Sequence, residues 1–369
     1  MLAFLYFVAT YSAGVLGLQT SRLSFRILLA TLQVLLGYKI FVTFAQIYTL
    51  PQMLAFGPLC IIGTAHSITL LLVERWELPT IKTGKQRFDI PGGIRMLANG
   101  RYIGTPRAVG GLKQWPSDGS GWVQRWLPTG LRNNPKWAFV IERAVTVLVI
   151  VTVQKWLPEL PIDRRDLHPK KSNLIRRLGD VSWREVMLRS ILVPDFIAQT
   201  WLFVNCTYQT LAAVTVALEI YRPEDWPRLF GDISDAYTIR RFWSKFWHRL
   251  VYRPYGGLAR MLAEKALGLK KSSQIYWPVE SFLIFTISGF AHVVVTIALQ
   301  YRCGLFSDLY FFWLQFLGIA FEETIRRLAG NRIPKNRWLG YVWVYVFFFW
   351  CLPKNYFPLW KWNCVPLGV

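Results

Sequence analysis

Long, mostly apolar stretches with few charged side chains constrain this chain more than any other feature of its sequence. A transmembrane helix needs about 20 mostly apolar residues. Stretches close to or above that length recur at eight places: Leu2–Gln19, Ile27–Leu50, Gln52–Val73, Ala138–Trp156, Met187–Ile220, Ser281–Gln300, Leu309–Ile325 and Trp338–Leu352. The pattern predicts an all-α integral membrane protein, a multi-span helical bundle with about eight transmembrane helices. The stretch Met187–Ile220 can hold one long span or a broken pair.

Composition supports this class and excludes others. Of the 369 residues, 53% are apolar and 17% are charged, whereas soluble domains carry about 25% charged residues. The apolar content is too high for a disordered protein. A net charge of +22 suggests nucleic-acid binding at first, but such proteins are basic and polar and lack long uncharged stretches. We therefore expect no nucleic-acid partner. The five cysteines form no CxxC pair, so we expect no metal site.

The positive charge lies between the apolar stretches. Residues 74–137 carry an excess of seven positive charges, and residues 221–279 carry an excess of six. Loops rich in Lys and Arg tend to be cytoplasmic, and tryptophans favour the headgroup layer. We expect amphipathic interfacial helices in these segments, in contact with membrane lipid. With no internal repeat visible, the chain is expected to be one membrane-embedded domain, 1–369.

His292 is the clearest candidate for chemistry. It lies inside the uncharged stretch Ser281–Gln300, and ionisable groups within a span are costly and usually functional. Ser288, Gly289, His292 and Thr296 are spaced to share one helix face, which we expect to point into the protein. A buried imidazole facing a cavity can act as a general base. The alternative is a histidine that only hydrogen-bonds a neighbouring helix.

A second candidate region is Tyr237–Leu250, where aromatic and basic residues alternate. The spacing predicts a basic aromatic helix suited to the membrane interface. Either the helix only anchors the chain, or its cations lie beside an anionic, phosphorylated ligand. In the second case the ligand-binding residues are Arg241 and Lys245, with Trp243 and Trp247 beside them.

Several short motifs together resemble a known family. Trp226–Asp232, Tyr237 and Arg241–His248 follow the pattern P-x-L-F-G…Y-S/T…F-W-x-x-x-W-H, and Ser288–His292 follows as S-G…H. This combination resembles the wax synthase-like branch of the membrane-bound O-acyltransferases. The segment Asn99–Pro106 also resembles an R-G-x-G-T-P segment common in fungal members, which often acetylate terpenoids, meroterpenoids or sterols.

The resemblance implies a function and roles for two residues. It implies an acyl-CoA-dependent O-acyltransferase with a motif-bearing core at 221–325, an acetyltransferase of specialised metabolism. Acetyl-CoA would be a co-substrate rather than a bound cofactor, and the acceptor a lipophilic alcohol. The family's intramembrane histidine falls on His292, which implies a general base. His248 falls on the second active-site position. We expect a multi-pass protein of the endoplasmic reticulum.

Two other functions stay open at this point. A wax ester synthase, which joins a long-chain acyl group to a fatty alcohol, would carry the same motifs. A transporter or membrane scaffold could line a polar path with the His292 face. Transporters usually show repeated halves with helix breaks at matching positions, and no such pairing is visible here.

The remaining ionisable residues within or beside the apolar stretches predict structural roles. His66 is expected to make a packed polar contact, and His168 to be solvated. Glu322 and Glu323 are followed by two arginines at spacings that favour ion pairs.

Overall fold

The computed structural model describes residues 2–46, 50–77, 90–116, 121–157, 162–298, 304–330 and 336–359. Within these ranges the chain forms helices and no strand. The α-helices are α1 Leu2–Leu18, α2 Leu23–Ala45, α3 Leu50–Ile68, α4 Ile90–Ala98, α5 Thr129–Arg132, α6 Pro135–Trp156, α7 Trp183–Ala217, α8 Ile239–Arg241, α9 Pro254–Met261, α10 Tyr276–Ala298, α11 Ser307–Ala329 and α12 Arg337–Leu359. Wider π-helical turns extend three of them: Thr69–Val73 after α3, Phe242–Phe246 after α8 and Leu262–Ala266 after α9. Short 3-10 turns occur at Gln124–Trp126, Arg164–Leu167, Pro169–Ser172, Ile175–Asp180, Pro223–Asp225 and Ile233–Asp235.

Each of the eight apolar stretches coincides with a long helix. The stretch Met187–Ile220 lies largely in one continuous helix of 35 residues, α7, with Pro194 inside it. Four helical segments in the described part of the chain are long and apolar enough to cross a membrane: Leu23–Thr43, Pro135–Trp156, Trp183–Ala217 and Tyr276–Ala298. The protein is therefore a helical membrane protein, while the number of eight spans stays a prediction.

Local sequence signals set the starts of two of these helices. Asn134 precedes α6, and its side chain accepts a hydrogen bond from Trp137 N, while Pro135 occupies the first helical position. Ser182 precedes α7 and accepts from Glu185 N at 3.2 Å. Both side chains satisfy backbone N–H groups that a helix leaves unpaired at its start.

The long helices form a series of packed neighbours. α1 packs on α2, α2 on α3, and α3 on α10; α10 then packs on α11, α11 on α12, α12 on α7, and α7 on α6. The helix that carries His292 therefore lies in the middle of the molecule.

The largest apolar core lies between α7, the α8 segment, α11 and α12. Phe242 and Phe348 are fully buried there, with ring centroids 4.7 Å apart. Burying one such side chain contributes about 1.5–3 kcal/mol. Because Phe242 belongs to the motif Arg241–His248, the core holds that motif in place.

Candidate active site

The helix of the second motif begins at Ile239 because two side chains accept hydrogen bonds from its first N–H groups. Thr238 Oγ1 accepts from Arg241 N at 3.0 Å. The carboxylate of Glu322, on α11, accepts from Ile239 N at 2.6 Å and from Arg240 N at 3.1 Å. A negative charge at this end of a helix is favourable. Glu322 thus attaches the motif to α11 and forms no ion pair with the arginines that follow it.

The segment Tyr237–Leu250 differs from the sequence prediction. It is helical only from Ile239 to Phe246, and Trp247 already has extended backbone angles. Phe242, Phe246 and Trp247 are buried in the main core. The prediction of one continuous helix over this segment is therefore wrong, while its place in the membrane interface stays a prediction. Aromatic side chains remove more apolar surface from water and headgroups when neighbouring helices enclose them. This packing determines the fold of the segment.

Gly231 explains why the L-F-G motif precedes the aromatic motif. Its N–H donates to Phe246 O at 2.8 Å. A Cβ on this residue would overlap the carbonyl oxygen of Lys245. Only glycine allows the two backbones to come this close, so Gly231 lets the 226–232 segment pack directly against the end of the motif helix.

His248 lies just after that helix, where the backbone has turned. Its ring is 5.7 Å from Phe230 and 5.8 Å from Trp247, between centroids. The ring is partly buried, and Nδ1 is fully buried without a hydrogen-bond partner among the described residues. Burial, with the nearby His292 and Arg101, lowers the pKa of His248 to about 4. The imidazole is therefore neutral at physiological pH.

His292 lies on the predicted inward face of α10. Ser288 and Thr296, one turn before and after it, are buried, while Val294 on the other side is 42% exposed. The imidazole is partly buried and lies 5.1 Å from the Phe312 ring of α11, between centroids. The expected orientation of the small and polar face into the protein is confirmed.

The two histidines come together although 43 residues separate them in the sequence. They are close enough for their charges to interact, and Arg101 is close enough to act on His248 as well. Arg101 is buried and donates to Arg228 O at 3.1 Å, to Pro227 O at 3.3 Å and to the Tyr208 hydroxyl. The guanidinium thereby ties the Asn99–Pro106 segment to the segment that begins at Trp226. The segment Asn99–Pro106 was recognised as a motif from the sequence, but no role was predicted for the Arg101 side chain.

The four residues predicted to bind the donor have different surroundings. Arg241 forms an ion pair with Asp235 and lies 4.4 Å from the centre of the Tyr237 ring. Trp243 Nε1 donates to Gln315 Oε1 at 3.2 Å.

The other two donor-binding candidates differ in exposure. Trp247 is buried beside His248. Lys245 is exposed. Contact of the four residues with a donor stays a prediction.

Asp308 is a buried residue near His292 that the sequence reading did not single out. It lies in the first turn of α11 and is 6% exposed. Its carboxylate accepts from Thr296 Oγ1 at 3.2 Å and from Asn355 Nδ2 at 2.8 Å. In the sequence, Asp308 directly precedes the apolar stretch Leu309–Ile325. An acidic residue at the start of a predicted span was the only signal that could have pointed to it.

The other ionisable residues have structural surroundings. His66 Nε2 lies 2.9 Å from Met96 O, so the predicted packed contact is confirmed. His168 is exposed, as predicted. Glu323 pairs with Arg326 at 2.7 Å and with Arg327 at 2.8 Å, as the spacing predicted. No group of three His, Cys, Asp or Glu side chains in the described ranges could hold a metal ion.

Comparison with known proteins identifies the family. Residues 226–314, which include both histidines, match the model of the membrane bound O-acyl transferase family. Acetyltransferase aurG of Calcarisporium arbuscula is 30% identical over 317 residues, which cover 79% of this chain and 76% of that protein. The chain belongs to the membrane-bound O-acyltransferase family. It is an enzyme of that family, a membrane-bound acyltransferase.

For two further relatives of this acyltransferase, the match covers a smaller share of the relative's length. Acetyltransferase eriL of Hericium erinaceus is 30% identical over 267 residues, 69% of this chain and 64% of the relative. Acetyltransferase ataH of Aspergillus terreus is 34% identical over 183 residues, 45% of this chain and 59% of the relative. No solved structure matches the chain.

An apolar helix and a basic segment each contribute one histidine to the site. His292 lies on a helix apolar enough to cross the membrane, and His248 follows the basic segment beside it. The two imidazoles thus meet where the apolar helix and the basic segment join. Acyl transfer to a hydroxyl needs a base for the hydroxyl proton and a group that orients the acyl carbonyl.

Proposed function

We propose that this acyltransferase moves the acetyl group of acetyl-CoA onto a hydroxyl of a terpenoid, meroterpenoid or sterol-like alcohol. The observation that carries the proposal is the meeting of His292 and His248 between the apolar helix α10 and the motif segment. A lipophilic alcohol reaches α10 from the bilayer, while the anionic CoA arrives from the aqueous side, next to the basic residues of 221–279. The enzyme belongs in the endoplasmic reticulum membrane.

In the proposed reaction His292 is the general base. It takes the proton of the acceptor hydroxyl while the hydroxyl oxygen attacks the thioester carbonyl, and a C–O bond forms. The C–S bond then breaks, and the departing thiolate takes the proton from His292. The products are an acetate ester and free CoA, and the base returns to its starting state. No redox step or further cofactor is needed for this balance.

His248 has a different role in this scheme. Its pKa of about 4 makes it a neutral ring and a weak base near pH 7, so it is poorly suited to take the hydroxyl proton. Its ring lies at the end of the motif segment, beside Trp247 and Phe230, where a donor that enters along the basic residues of 221–279 would reach the site. We therefore assign His248 to donor orientation.

The names of the relatives support acetyl over long-chain acyl transfer. The three relatives reported above are all named acetyltransferases. A wax ester synthase would use the same two histidines, so only an assay with both acyl donors separates the two functions.

The experiment uses membranes from a host that expresses the full chain. They are incubated with labelled acetyl-CoA and a panel of terpenoid and sterol alcohols, and separately with labelled palmitoyl-CoA and a fatty alcohol. Wild-type membranes are expected to acetylate at least one terpenoid or sterol and to form no wax ester. His292→Ala is expected to lose about 10²–10⁴-fold in rate, the usual contribution of a general base.

His168→Ala serves as the matched control, since it removes an exposed histidine far from α10 in the sequence and should leave the rate unchanged. Both variants must reach wild-type amounts in the membrane and the same elution volume in detergent. Full activity of His292→Ala would overturn the role of the base, and wax ester formation without acetylation would overturn the donor assignment.

A further inference from the structure

Asp308 is a buried carboxylate whose described hydrogen-bond partners are both neutral. Thr296 Oγ1 lies 3.2 Å from one of its oxygens and Asn355 Nδ2 lies 2.8 Å from the other. Among the ion pairs of the described residues, none includes Asp308. A buried negative charge without a positive partner is costly. The carboxylate therefore needs a cation within reach, at least during some step of the reaction.

The packing of α10 against α11 places His292 where such a cation can form. Thr296, one turn after His292, contacts Asp308, while His292 contacts Phe312, one turn after Asp308. The two helices thus run antiparallel, and the imidazole lies in the groove between positions 308 and 312 of α11. The charge of Asp308 acts directly on His292.

We propose that Asp308 is a positioning residue for His292, and this inference rests on the function proposed above. The carboxylate turns one ring nitrogen of His292 toward itself, so that the other ring nitrogen faces the acceptor hydroxyl. When His292 takes the hydroxyl proton, it becomes an imidazolium beside a fixed negative charge. That charge stabilises the imidazolium until the thiolate takes the proton. Asp308 itself takes no part in the proton transfer.

Other charged and titratable groups surround this pair. His248 faces His292 from the motif segment. Asp195 of α7 and Asp308 both act on Tyr356 of α12, so both lie near its hydroxyl. Tyr255 of α9 packs on Ala291, next to His292 in the chain. Glu280, near the start of α10, lies three turns before His292 and pairs with Arg260 at 3.5 Å.

The geometry favours Asp308 over these groups as the partner of His292. His248 is neutral near pH 7 because of its pKa of about 4. Tyr255 is buried among apolar residues. Among the groups considered, Asp308 alone combines burial, a hydrogen bond to the same face of α10 and a direct electrostatic effect on His292.

The test is the pH dependence of kcat/KM for Asp308→Asn in membranes that hold the full chain. Asparagine keeps the shape, and its carbonyl can still accept from Asn355. We expect kcat/KM to fall about 10²-fold. We also expect the acid limb of the profile to move to lower pH by one unit or more, because the carboxylate no longer favours the protonated imidazole. KM for acetyl-CoA should change less than twofold.

Two further variants separate this role from simple packing. Asp308→Glu keeps the charge, so its acid limb should stay within 0.3 pH units of wild type even if its kcat falls. Thr296→Val removes a hydrogen bond to Asp308 but leaves the charge, so it should lower heat stability without moving the acid limb. If Asp308→Asn fails to reach the membrane, a shift of one unit or more in Asp308→Glu overturns the proposal.

The result also distinguishes this inference from the proposed function. If Asp308→Asn has the wild-type profile while His292→Ala is inactive, the positioning role is overturned and the base survives. If His292→Ala is active, the base itself is overturned, and Asp308 loses its proposed task with it.

Discussion

Gly289 of α10 lies directly against the backbone of Leu309 in α11. A Cβ built on Gly289 would come 2.8 Å from Leu309 Cα and 2.9 Å from its Cδ1. The S-G…H motif therefore carries more than its histidine, since its glycine allows the start of α11 to approach α10. This close approach brings Asp308 and Phe312 alongside His292.

The variant Gly289→Ala is expected to force the start of α11 away from α10. The obstacle is backbone, which cannot rotate aside, so the free energy of unfolding should fall by about 1–3 kcal/mol. Ester formation should fall further than stability, because Asp308 moves away from His292. The measurements are the thermal unfolding midpoint in detergent and the rate of acetylation in membranes.

Gly63→Ala in α3 is the control for that variant. A Cβ at this position meets no atom within 4 Å. Alanine is a better helix former than glycine by about 0.5–1 kcal/mol, so this variant should be as stable as wild type or more stable. Equal stability and activity of Gly289→Ala and wild type would contradict the close approach as a requirement.

The helices were predictable from sequence because their signal is local. A mostly apolar stretch of about 20 residues has few alternatives to a helix in or beside a membrane, and all eight stretches coincide with helices. His292 was predictable for the same reason, as an ionisable residue in an apolar stretch. The motif helix was not, since its helical pattern continued through Trp247 and His248. The burial of Phe242 and Phe246 against distant helices decided where it ends.

The partners within the site could not be predicted from sequence either. Asp308 contacts residues of α10 and α12, and Arg101 contacts carbonyls more than 120 residues away. Such pairs depend on how the helices pack, and one sequence contains no direct signal of that packing. Gly231 and Gly289 mark two of these close approaches, but a glycine alone does not reveal which backbone lies against it.

The buried His248 predicts a pH-dependent loss of stability. In the unfolded chain a histidine titrates near 6.5, whereas burial lowers the pKa of His248 to about 4 in the folded protein. Between these values the unfolded chain binds more protons, so the folded state loses stability as the pH falls from 6.5 toward 4. The loss is on the order of 2–3 kcal/mol over that interval, at about 1.4 kcal/mol per pH unit.

His248→Gln should remove this part of the pH dependence, because glutamine does not titrate. The drop in unfolding midpoint between pH 7 and pH 5 should be smaller in His248→Gln than in wild type. Titrating groups common to both proteins cancel in the comparison. His168→Gln removes an exposed histidine and should keep the wild-type drop. An equal drop in all three proteins would mean that His248 is not buried as a neutral ring.

Arg241 and Lys245 are expected to affect donor binding differently. Lys245 is exposed on the motif helix, so Lys245→Gln should raise KM for acetyl-CoA several-fold while kcat falls less than twofold, and added salt should reduce the difference. Arg241→Gln also breaks the ion pair with Asp235, so it should lower the unfolding midpoint in addition to raising KM. Steady-state kinetics in membranes and thermal unfolding in detergent measure both effects.

Lys265→Gln is the matched control for the donor-binding pair. This lysine is exposed in the π-helical turn Leu262–Ala266, so its loss removes the same charge from a similar turn elsewhere. If KM rises equally in Lys245→Gln and Lys265→Gln, the enzyme attracts the donor through its overall charge. If KM rises in neither, Lys245 does not contact the phosphates. A rise in Lys245→Gln alone places the anionic part of the donor at the helix that ends beside His248.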